Sequence, residues 1–177
     1  MELMKCLWYL FISGLVSFGM GRLFPRQLLR HDAWPFRAHE WEKGGRVYER
    51  LAVRRWQNRL PDMSHILPGT MPAKRIETMP TLEKLMTMVE ETCVAELVHL
   101  LLCVSGLRLL KLWRGPGGLT LWLLYVLIGN VPYIIMQRYN RPRFLLLMKK
   151  LQRRLSVGEQ AEGRHIACGA ADPVSGD

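Results

Sequence analysis

The chain has 177 residues, enough for one domain or for one domain with a tail. Lysine and arginine number 25 against 15 acidic residues, and apolar residues make up 49% of the sequence. This composition excludes an acidic disordered chain and a collagen-like chain, and it disfavours an ordinary soluble enzyme. A nucleic-acid-binding protein or a small membrane protein with basic cytoplasmic parts remains.

The first predicted element is an apolar segment close to the N-terminus. Residues 6–20 carry no charge, which is short for a bilayer span because about 20 apolar residues are needed to cross. We interpret residues 1–24 as a membrane anchor helix, and a cleaved signal peptide is the alternative. The anchor is favoured because a cleaved signal would place the following basic region outside the cell, against the positive-inside rule.

A basic, aromatic-rich region follows over residues 25–80 and is predicted to be cytoplasmic or interfacial. Trp41, Tyr48 and Trp56 stand among arginines, a composition typical of a membrane-surface contact and also of nucleic-acid binding. The flanking apolar segments favour the membrane, so no nucleic-acid partner is expected. Asp62 is a candidate catalytic acid, but its Leu-Pro-Asp context is more typical of a turn.

The predicted membrane core occupies residues 81–155 and begins with a long helix. Thr81 is expected to be its N-cap, and apolar residues then recur at helical spacing before the run becomes almost continuously apolar. The next segment, residues 119–136, has no charge over 18 residues and is the strongest transmembrane candidate. Asn130 and Pro132 interrupt its inner half.

The last part of the core is a basic amphipathic stretch. Pro142 is expected to end one helix or to begin the next, and residues 144–155 place apolar and basic side chains on different faces, as an interfacial helix does. Residues 156–177 are predicted to be a disordered tail. The predicted fold class is all-α, a small integral membrane protein with about three transmembrane helices plus amphipathic interfacial helices.

The distribution of charge predicts the orientation. Residues 21–91 contain 13 of the 25 lysines and arginines, and residues 137–177 contain another 8. Placing both segments in the cytoplasm satisfies the positive-inside rule and requires three crossings with the N-terminus outside. We therefore expect a multi-pass protein of the cell membrane, in contact with membrane lipid, whose basic loop and C-terminus face the cytoplasm.

Two ionisable residues on the long helix are the candidate catalytic pair. Glu96 and His99 stand three residues apart and so share a helix face. A carboxylate and an imidazole at the edge of a hydrocarbon run are costly to bury, which points to function. In the catalytic interpretation His99 deprotonates a hydroxyl and Glu96 orients its ring. In the structural interpretation the two residues are a polar pair that joins one helix to another.

The second set of candidate residues lies at the end of the third apolar segment. Asn130 precedes Pro132, which leaves a carbonyl of the preceding turn without its helical donor, and the pair is typical either of a substrate cleft or of a tolerated kink. The dense polar cluster that follows suits phosphate or carboxylate groups, or else anchors the helix at lipid headgroups. Its candidate substrate-binding members are Gln137, Arg138, Tyr139, Asn140, Arg141 and Arg143. The spacing of cysteines and histidines gives no sign of a metal site, so none is expected.

Three strings in these segments resemble the glycosyl-4,4'-diaponeurosporenoate acyltransferase family, whose members act late in bacterial carotenoid pigment synthesis. The strings are ETCVAELVH over residues 91–99, NVPYIIMQRYNRPR over residues 130–143 and RVYERLAVRRWQNRLPD over residues 46–62. The resemblance extends from Trp41 to Leu155 and covers most of the predicted ordered chain.

The resemblance implies transfer of a fatty acyl group to a sugar hydroxyl of a glycosylated carotenoid or a related polyprenyl lipid. An acyl thioester such as acyl-CoA is the expected co-substrate, and no further cofactor is expected. On physical grounds His99 is then the general base, Asn130 or Gln137 donates to the developing oxyanion, and the arginines contact anionic groups. The alternative is a non-enzymatic membrane module that binds or scaffolds lipid-synthesis enzymes.

Overall fold

The computed structural model describes residues 1–25, 28–60 and 80–169, without the side chains of Asn58 and of residues 159–169. Within these ranges the regular structure is helical and no strand occurs, which confirms the predicted all-α class. The α-helices are α1 (Glu2–Leu23), α2 (Arg46–Glu49), α3 (Val53–Trp56), α4 (Leu82–Gly106), α5 (Arg108–Leu112), α6 (Pro116–Leu127) and α7 (Val131–Gly169). Two 3₁₀ helices, Glu40–Gly45 and Gln57–Arg59, lie beside α2 and α3.

Among the described residues, three helical stretches are long and apolar enough to cross a membrane, as the sequence predicted. They are Glu2–Leu23, Leu82–Leu112 and Pro116–Gly158. The second begins at the expected N-cap, where Thr81 Oγ1 accepts a hydrogen bond of 3.2 Å from the backbone N–H of Lys84. Little of the first and third stretches is buried within the protein, as expected of apolar helices that are surrounded by lipid.

The long helices run antiparallel to their neighbours. Tyr9 in the first half of α1 donates a hydrogen bond to the carbonyl of Ser105 near the end of α4, whereas Gly21 near the end of α1 lies beside Val98. The helices α4 and α7 are also antiparallel. Thr92 in the first half of α4 contacts Arg141, whereas His99 further along α4 contacts Asn130, just before α7 begins. The described residues between α1 and α4 and the polar part of α7 therefore lie at one end of the bundle. The turn from α5 to α6 lies at the other end.

The tight turn between α5 and α6 depends on glycine. Gly118 is buried, and a Cβ atom there would overlap the carbonyl oxygen of Trp113. Pro116 begins α6, a position at which a missing N–H loses no helical partner. The turn brings α6 back against α4, where Gly106 packs closely on Tyr125.

The third apolar segment is interrupted where Asn130 and Pro132 predicted an interruption. The helix α6 ends at Leu127 and α7 begins at Val131, and the Asn130 carbonyl then accepts hydrogen bonds from N–H groups in the first turn of α7. Pro132 lies in that first turn, where a missing N–H breaks no helical bond. Asn130 is buried at this point, with its side chain 1% exposed.

The helix α7 runs unbroken through Pro142, so the expectation that this proline ends or begins a helix is wrong. A proline inside a helix removes one hydrogen bond, to the carbonyl four residues earlier, which here belongs to Arg138. Gly45, whose φ of +89° favours glycine, packs against this part of α7. The basic amphipathic stretch is therefore a continuation of the third apolar helix.

The helix α7 also extends further than the sequence predicted. The disordered tail was expected to begin at Ser156, whereas the helix continues through Gly169. Residues 159–162 are glutamate, glutamine, alanine and glutamate, which have high helix propensity and favour this continuation. Residues 170–177 lie outside the described residues.

We expect Gly118→Ala to destabilise the protein because the new methyl group overlaps the Trp113 carbonyl. Overpacking of this kind costs about 1–3 kcal/mol. The measurement is the thermal unfolding midpoint of the purified protein in lipid nanodiscs, followed by circular dichroism. The matched control is Gly14→Ala in α1, where a Cβ atom meets nothing within 4 Å. Equal midpoints for the two variants would contradict the packing of this turn.

Candidate functional site

A buried carboxylate joins the two longest helices. Glu96 on α4 is fully buried, with Oε1 2.7 Å from Arg138 Nε and Oε2 2.5 Å from Arg141 Nη2, both donated from α7. Isolated charges are costly to bury, but paired and hydrogen-bonded charges are tolerated. These three side chains therefore fix how α4 and α7 pack together.

The same arginines hold the segment that precedes α2. Arg138 Nη1 donates to Glu42 Oε1 at 2.7 Å, and Arg138 Nη2 donates to the Pro35 carbonyl at 2.6 Å. Arg141 Nη1 donates to the Phe36 carbonyl, also at 2.6 Å. The described part of the basic region is thus bonded to the long helices as part of one structural unit. We call the two carboxylates and two guanidiniums the ion-pair cluster: Glu42, Glu96, Arg138 and Arg141.

Hydrogen bonds determine the ionisation of Glu42. Burial opposes its charged form, but bonds from the Tyr48 hydroxyl at 2.5 Å, from Arg138 and from the backbone N–H of His39 outweigh burial. The pKa of Glu42 therefore lies below its ordinary value. Burial and the bond to Glu42 raise the pKa of Tyr48, so the Tyr48 hydroxyl remains a hydrogen-bond donor.

The contacts of Arg138 and Arg141 are directed at protein acceptors. Arg141 also donates from Nε to Thr92 Oγ1 at 2.8 Å and from Nη2 to the Thr92 carbonyl at 3.1 Å. Both arginines were predicted to contact anionic groups of a substrate. The structure uses them to join helices, and an anion would have to displace buried carboxylates or carbonyls to reach them.

His99 lies one turn further along α4, next to the interruption between α6 and α7. Its Nδ1 atom is 3.0 Å from Asn130 Oδ1, and its ring stacks on that of Tyr133 with centroids 4.6 Å apart and planes 9° apart. The amide nitrogen of Asn130 donates to the Tyr125 carbonyl at 2.9 Å. His99 is half-buried, and these two neighbours limit the orientation of its ring.

The expected pairing of Glu96 with His99 is replaced by two separate contacts. The two residues lie one turn apart on α4, but the Glu96 oxygens accept from the arginines of α7 and His99 Nδ1 faces Asn130. The physical reason is charge, because a guanidinium compensates a buried carboxylate better than a neutral imidazole does. The structure therefore brings His99 together with Asn130, and Glu96 together with Arg138.

The remaining predicted site residues have different surroundings. Tyr139 is 2% exposed and packs in a small core with Tyr48 of the basic region. Gln137 is buried and Asn140 is half-buried. Arg143 is exposed, and its guanidinium carbon lies 4.4 Å from the centroid of the Tyr139 ring. Of the three arginines in this motif, Arg143 is therefore the one whose position leaves it accessible from outside.

Sequence reasoning missed the role of Glu42 and misplaced Tyr48. Tyr48 was predicted to lie at a surface, whereas it is buried and donates to Glu42. The sequence signal for this role was Glu42 itself, an acidic residue between Trp41 and a Gly-Gly pair in a mostly basic region. Such a residue is a candidate for an ion pair with an arginine far away in the sequence. Trp41 is exposed, as expected of a surface contact. Asp62 lies outside the described residues.

The described part of the site offers proton transfer by an imidazole and hydrogen bonding by amides. Among the described residues, no group of three or more histidine, cysteine, aspartate or glutamate side chains is arranged to hold a metal ion. The cysteines whose side chains are described, Cys6, Cys93 and Cys103, are free thiols.

Known proteins related to the chain match it over most of its length. The family model described as glycosyl-4,4'-diaponeurosporenoate acyltransferase matches residues 32–150. The glycosyl-4,4'-diaponeurosporenoate acyltransferase of Staphylococcus aureus strain USA300 is 30% identical over 151 residues, which cover 84% of this chain and 89% of the relative. Proteins of the same description from strains Newman and bovine RF122 / ET3-1 match with the same identity and coverage. No solved structure matches the chain significantly.

The ion-pair cluster predicts that Glu42→Gln destabilises the protein at neutral pH. The variant removes one of the two carboxylates bound to Arg138, and removing one partner of a buried ion pair costs about 3 kcal/mol. The stabilisation by ionised Glu42 is complete above the pKa of an unfolded glutamate and is lost as the pH falls through the lower folded pKa. The stability difference from wild type should therefore shrink between about pH 7 and about pH 3.

The measurement is chemical unfolding of wild type and variant in nanodiscs at both pH values. The matched control is Glu40→Gln, which changes an exposed glutamate two residues away and should leave stability unaltered. A difference between Glu42→Gln and wild type that stays constant with pH would show that the ionised Glu42 carboxylate is not the stabilising group.

Proposed function

The chain belongs to the glycosyl-4,4'-diaponeurosporenoate acyltransferase family, and we propose that it moves a fatty acyl group onto a sugar hydroxyl of a glycosylated carotenoid or similar polyprenyl lipid. The relatives are named for a glycosylated diaponeurosporenoate, and this class of acceptor is carried over to the chain. The donor in this proposal is an acyl thioester such as acyl-CoA. Family membership favours this enzyme over a non-enzymatic scaffold.

His99 is the general base in this proposal. The oxygen of the acceptor hydroxyl attacks the thioester carbonyl carbon, and its proton passes to His99 Nε2. The C–S bond breaks as the C–O ester bond forms, and the proton then passes from His99 to the departing thiolate. The supporting observation is a half-buried imidazole held by Asn130 and Tyr133 beside three apolar helices. Lipid chains can lie along these helices while the sugar and the thioester meet at the polar end.

Gln137 is the better of the two predicted oxyanion donors. Asn130 uses its amide within the protein, since its nitrogen donates to Tyr125 and its oxygen faces His99. Gln137 is buried one helical turn after Tyr133, whose ring stacks on His99. Its amide therefore lies on the same face of α7 as the stacked ring. In this proposal that amide donates to the thioester oxygen as negative charge develops there.

Arg143 is the proposed contact for an anionic group of the donor, such as a phosphate of CoA. It is exposed, and stacking over the Tyr139 ring limits the orientations of its guanidinium. Arg138 and Arg141 are less suited because the ion-pair cluster already uses their hydrogen-bond donors. This assignment narrows the predicted anion contacts from three arginines to one.

The arrangement of the helices supports the predicted orientation in the cell membrane. The antiparallel packing puts the described parts of the two most basic segments, 21–91 and 137–177, at the same end of the bundle. The opposite end carries Arg108, Lys111 and Arg114. By the positive-inside rule, the more basic end faces the cytoplasm. A water-soluble acyl thioester would then approach His99 from the cytoplasmic side.

His99→Gln is expected to slow acyl transfer about 100- to 10,000-fold, the usual contribution of a general base. The measurement is mass-spectrometric detection of the acyl ester formed by the enzyme in nanodiscs from acyl-CoA and a glycosylated diaponeurosporenoate. His31→Gln is the control, because it changes a histidine of the basic region to which we assign no role. Transfer by His99→Gln at a rate close to wild type, with an unchanged unfolding midpoint, would refute the base assignment.

Arg143→Gln is expected to raise the KM for acyl-CoA about tenfold with kcat unchanged, because a hydrogen bond to a charged group contributes about 1.5 kcal/mol. The measurement is the initial rate as a function of acyl-CoA concentration. Arg153→Gln, at an exposed position further along α7, is the matched control and should leave the KM unaltered. A fall in kcat at constant KM would argue against a role in donor binding.

A further inference from the structure

Asn130 is a buried amide that is engaged at both ends. Its Nδ2 atom lies 2.9 Å from the Tyr125 carbonyl oxygen, and its Oδ1 atom lies 3.0 Å from His99 Nδ1. A carbonyl oxygen only accepts hydrogen bonds, so the group that faces Tyr125 is the NH₂ of the amide. This assignment directs the amide oxygen of Asn130 toward His99.

The orientation of the amide decides which nitrogen of His99 carries the proton. An amide oxygen accepts, so the Nδ1 atom that faces it is an N–H donor. In a neutral imidazole the other nitrogen, Nε2, then holds the lone pair. The stacked ring of Tyr133 fixes the plane of the imidazole, so the direction of that lone pair is also determined.

The interruption between α6 and α7 supplies this arrangement. The Tyr125 carbonyl accepts from the N–H of Gly129 at 3.1 Å and from the Asn130 amide, which its two lone pairs allow. A Cβ atom at position 129 would lie 2.7 Å from that carbonyl oxygen, so glycine leaves room for the bend. The residue that orients the imidazole is thus also the residue at which the third apolar segment changes from one helix to the next.

We propose that Asn130 is a positioning residue that holds His99 as the Nδ1–H tautomer, so that Nε2 accepts the proton of the acceptor hydroxyl. This inference rests on the proposed acyl transfer. In this proposal Asn130 positions His99, whereas the sequence predicted that Asn130 binds substrate. The amide of Asn130 also takes the role of orienting the His99 ring that the sequence assigned to Glu96.

The titratable groups around His99 come from its own helix and from the helices packed against it. Among the described residues, those on its own helix and on the helices packed against it include Glu96 and Cys103 on α4, Tyr133 on α7, Tyr125 on α6 and Tyr9 on α1. The charge of Glu96 is compensated by Arg138 and Arg141. A carboxylate at position 130 would therefore add an uncompensated negative charge in direct contact with the imidazole.

Two substitutions of Asn130 test the role through the pH dependence of the reaction. Asn130→Asp keeps an oxygen that accepts from Nδ1–H and adds a charge that stabilises the imidazolium. We expect the acid limb of the kcat/KM profile to move up by about one pH unit or more, with activity retained above it. Asn130→Leu removes the acceptor, and we expect kcat to fall about 100-fold or more, as misplacement of a catalytic group does, with both KM values close to wild type.

The substitutions also discriminate between positioning and substrate binding. A rise in KM alone in Asn130→Leu is the result expected of a substrate contact and would overturn the proposal. A loss of activity in Asn130→Asp as large as that in Asn130→Leu would overturn it as well, because the aspartate keeps an oxygen that accepts from Nδ1–H.

Nitrogen NMR of the wild-type protein labelled with ¹⁵N-histidine tests the tautomer without an activity assay and without a variant of Asn130. The signals of His99 are assigned by their loss in His99→Gln. We expect a proton on Nδ1 and a lone pair on Nε2 in the neutral ring, and the opposite tautomer would overturn the proposal. An active His99→Gln would refute the proposed base instead, so the two failures are distinguishable.

Discussion

Burial of the Glu96 carboxylate is the constraint on which the arrangement of the protein depends. A negative charge at the edge of three apolar helices has to be compensated, and Arg138 and Arg141 compensate it from α7. These bonds fix the register of α4 relative to α7. Because Arg138 also binds Glu42, the same compensation folds the basic region onto the helices. His99 is placed one turn away on α4, so its distance from Asn130 follows from the same helix packing.

The features that were predicted correctly follow from local rules. Three apolar helices follow from length and hydropathy, the N-cap at Thr81 follows from its hydroxyl, and the interruption at Asn130 follows from the proline two residues later. The contact between Glu42 and Arg138 joins residues 96 positions apart, and no spacing rule reaches that far. The prediction that a helix ends or begins at Pro142 was wrong. The loss of one helical hydrogen bond there does not outweigh the packing of the residues around it.

The candidate site was partly predictable for the same reason. Helical periodicity placed Glu96 and His99 on one face of α4, and motif resemblance singled out Asn130. Helical periodicity predicts which residues are neighbours on one helix. The side chain that each of them contacts on another helix depends on charge and on the direction of the hydrogen-bond donors, which periodicity does not predict. A guanidinium is the stronger partner for a buried carboxylate, and His99 contacts the Asn130 amide instead. The sequence therefore predicted which residues form the candidate site, but it did not predict which side chains contact each other.

The length of α7 has a consequence for how the protein responds to its lipid surroundings. Its 39 residues span about 58 Å, roughly twice the hydrocarbon thickness of a bilayer. The apolar span formed by α6 and the start of α7 adapts to a thinner or thicker bilayer by tilting, and the polar part of α7 moves with it. The ion pairs to Glu96 and the contact of Asn130 with His99 hold α7 against α4 at two levels, so the two helices tilt together. Hydrophobic mismatch then changes the depth of the imidazole below the headgroups while its distances to neighbouring side chains are preserved.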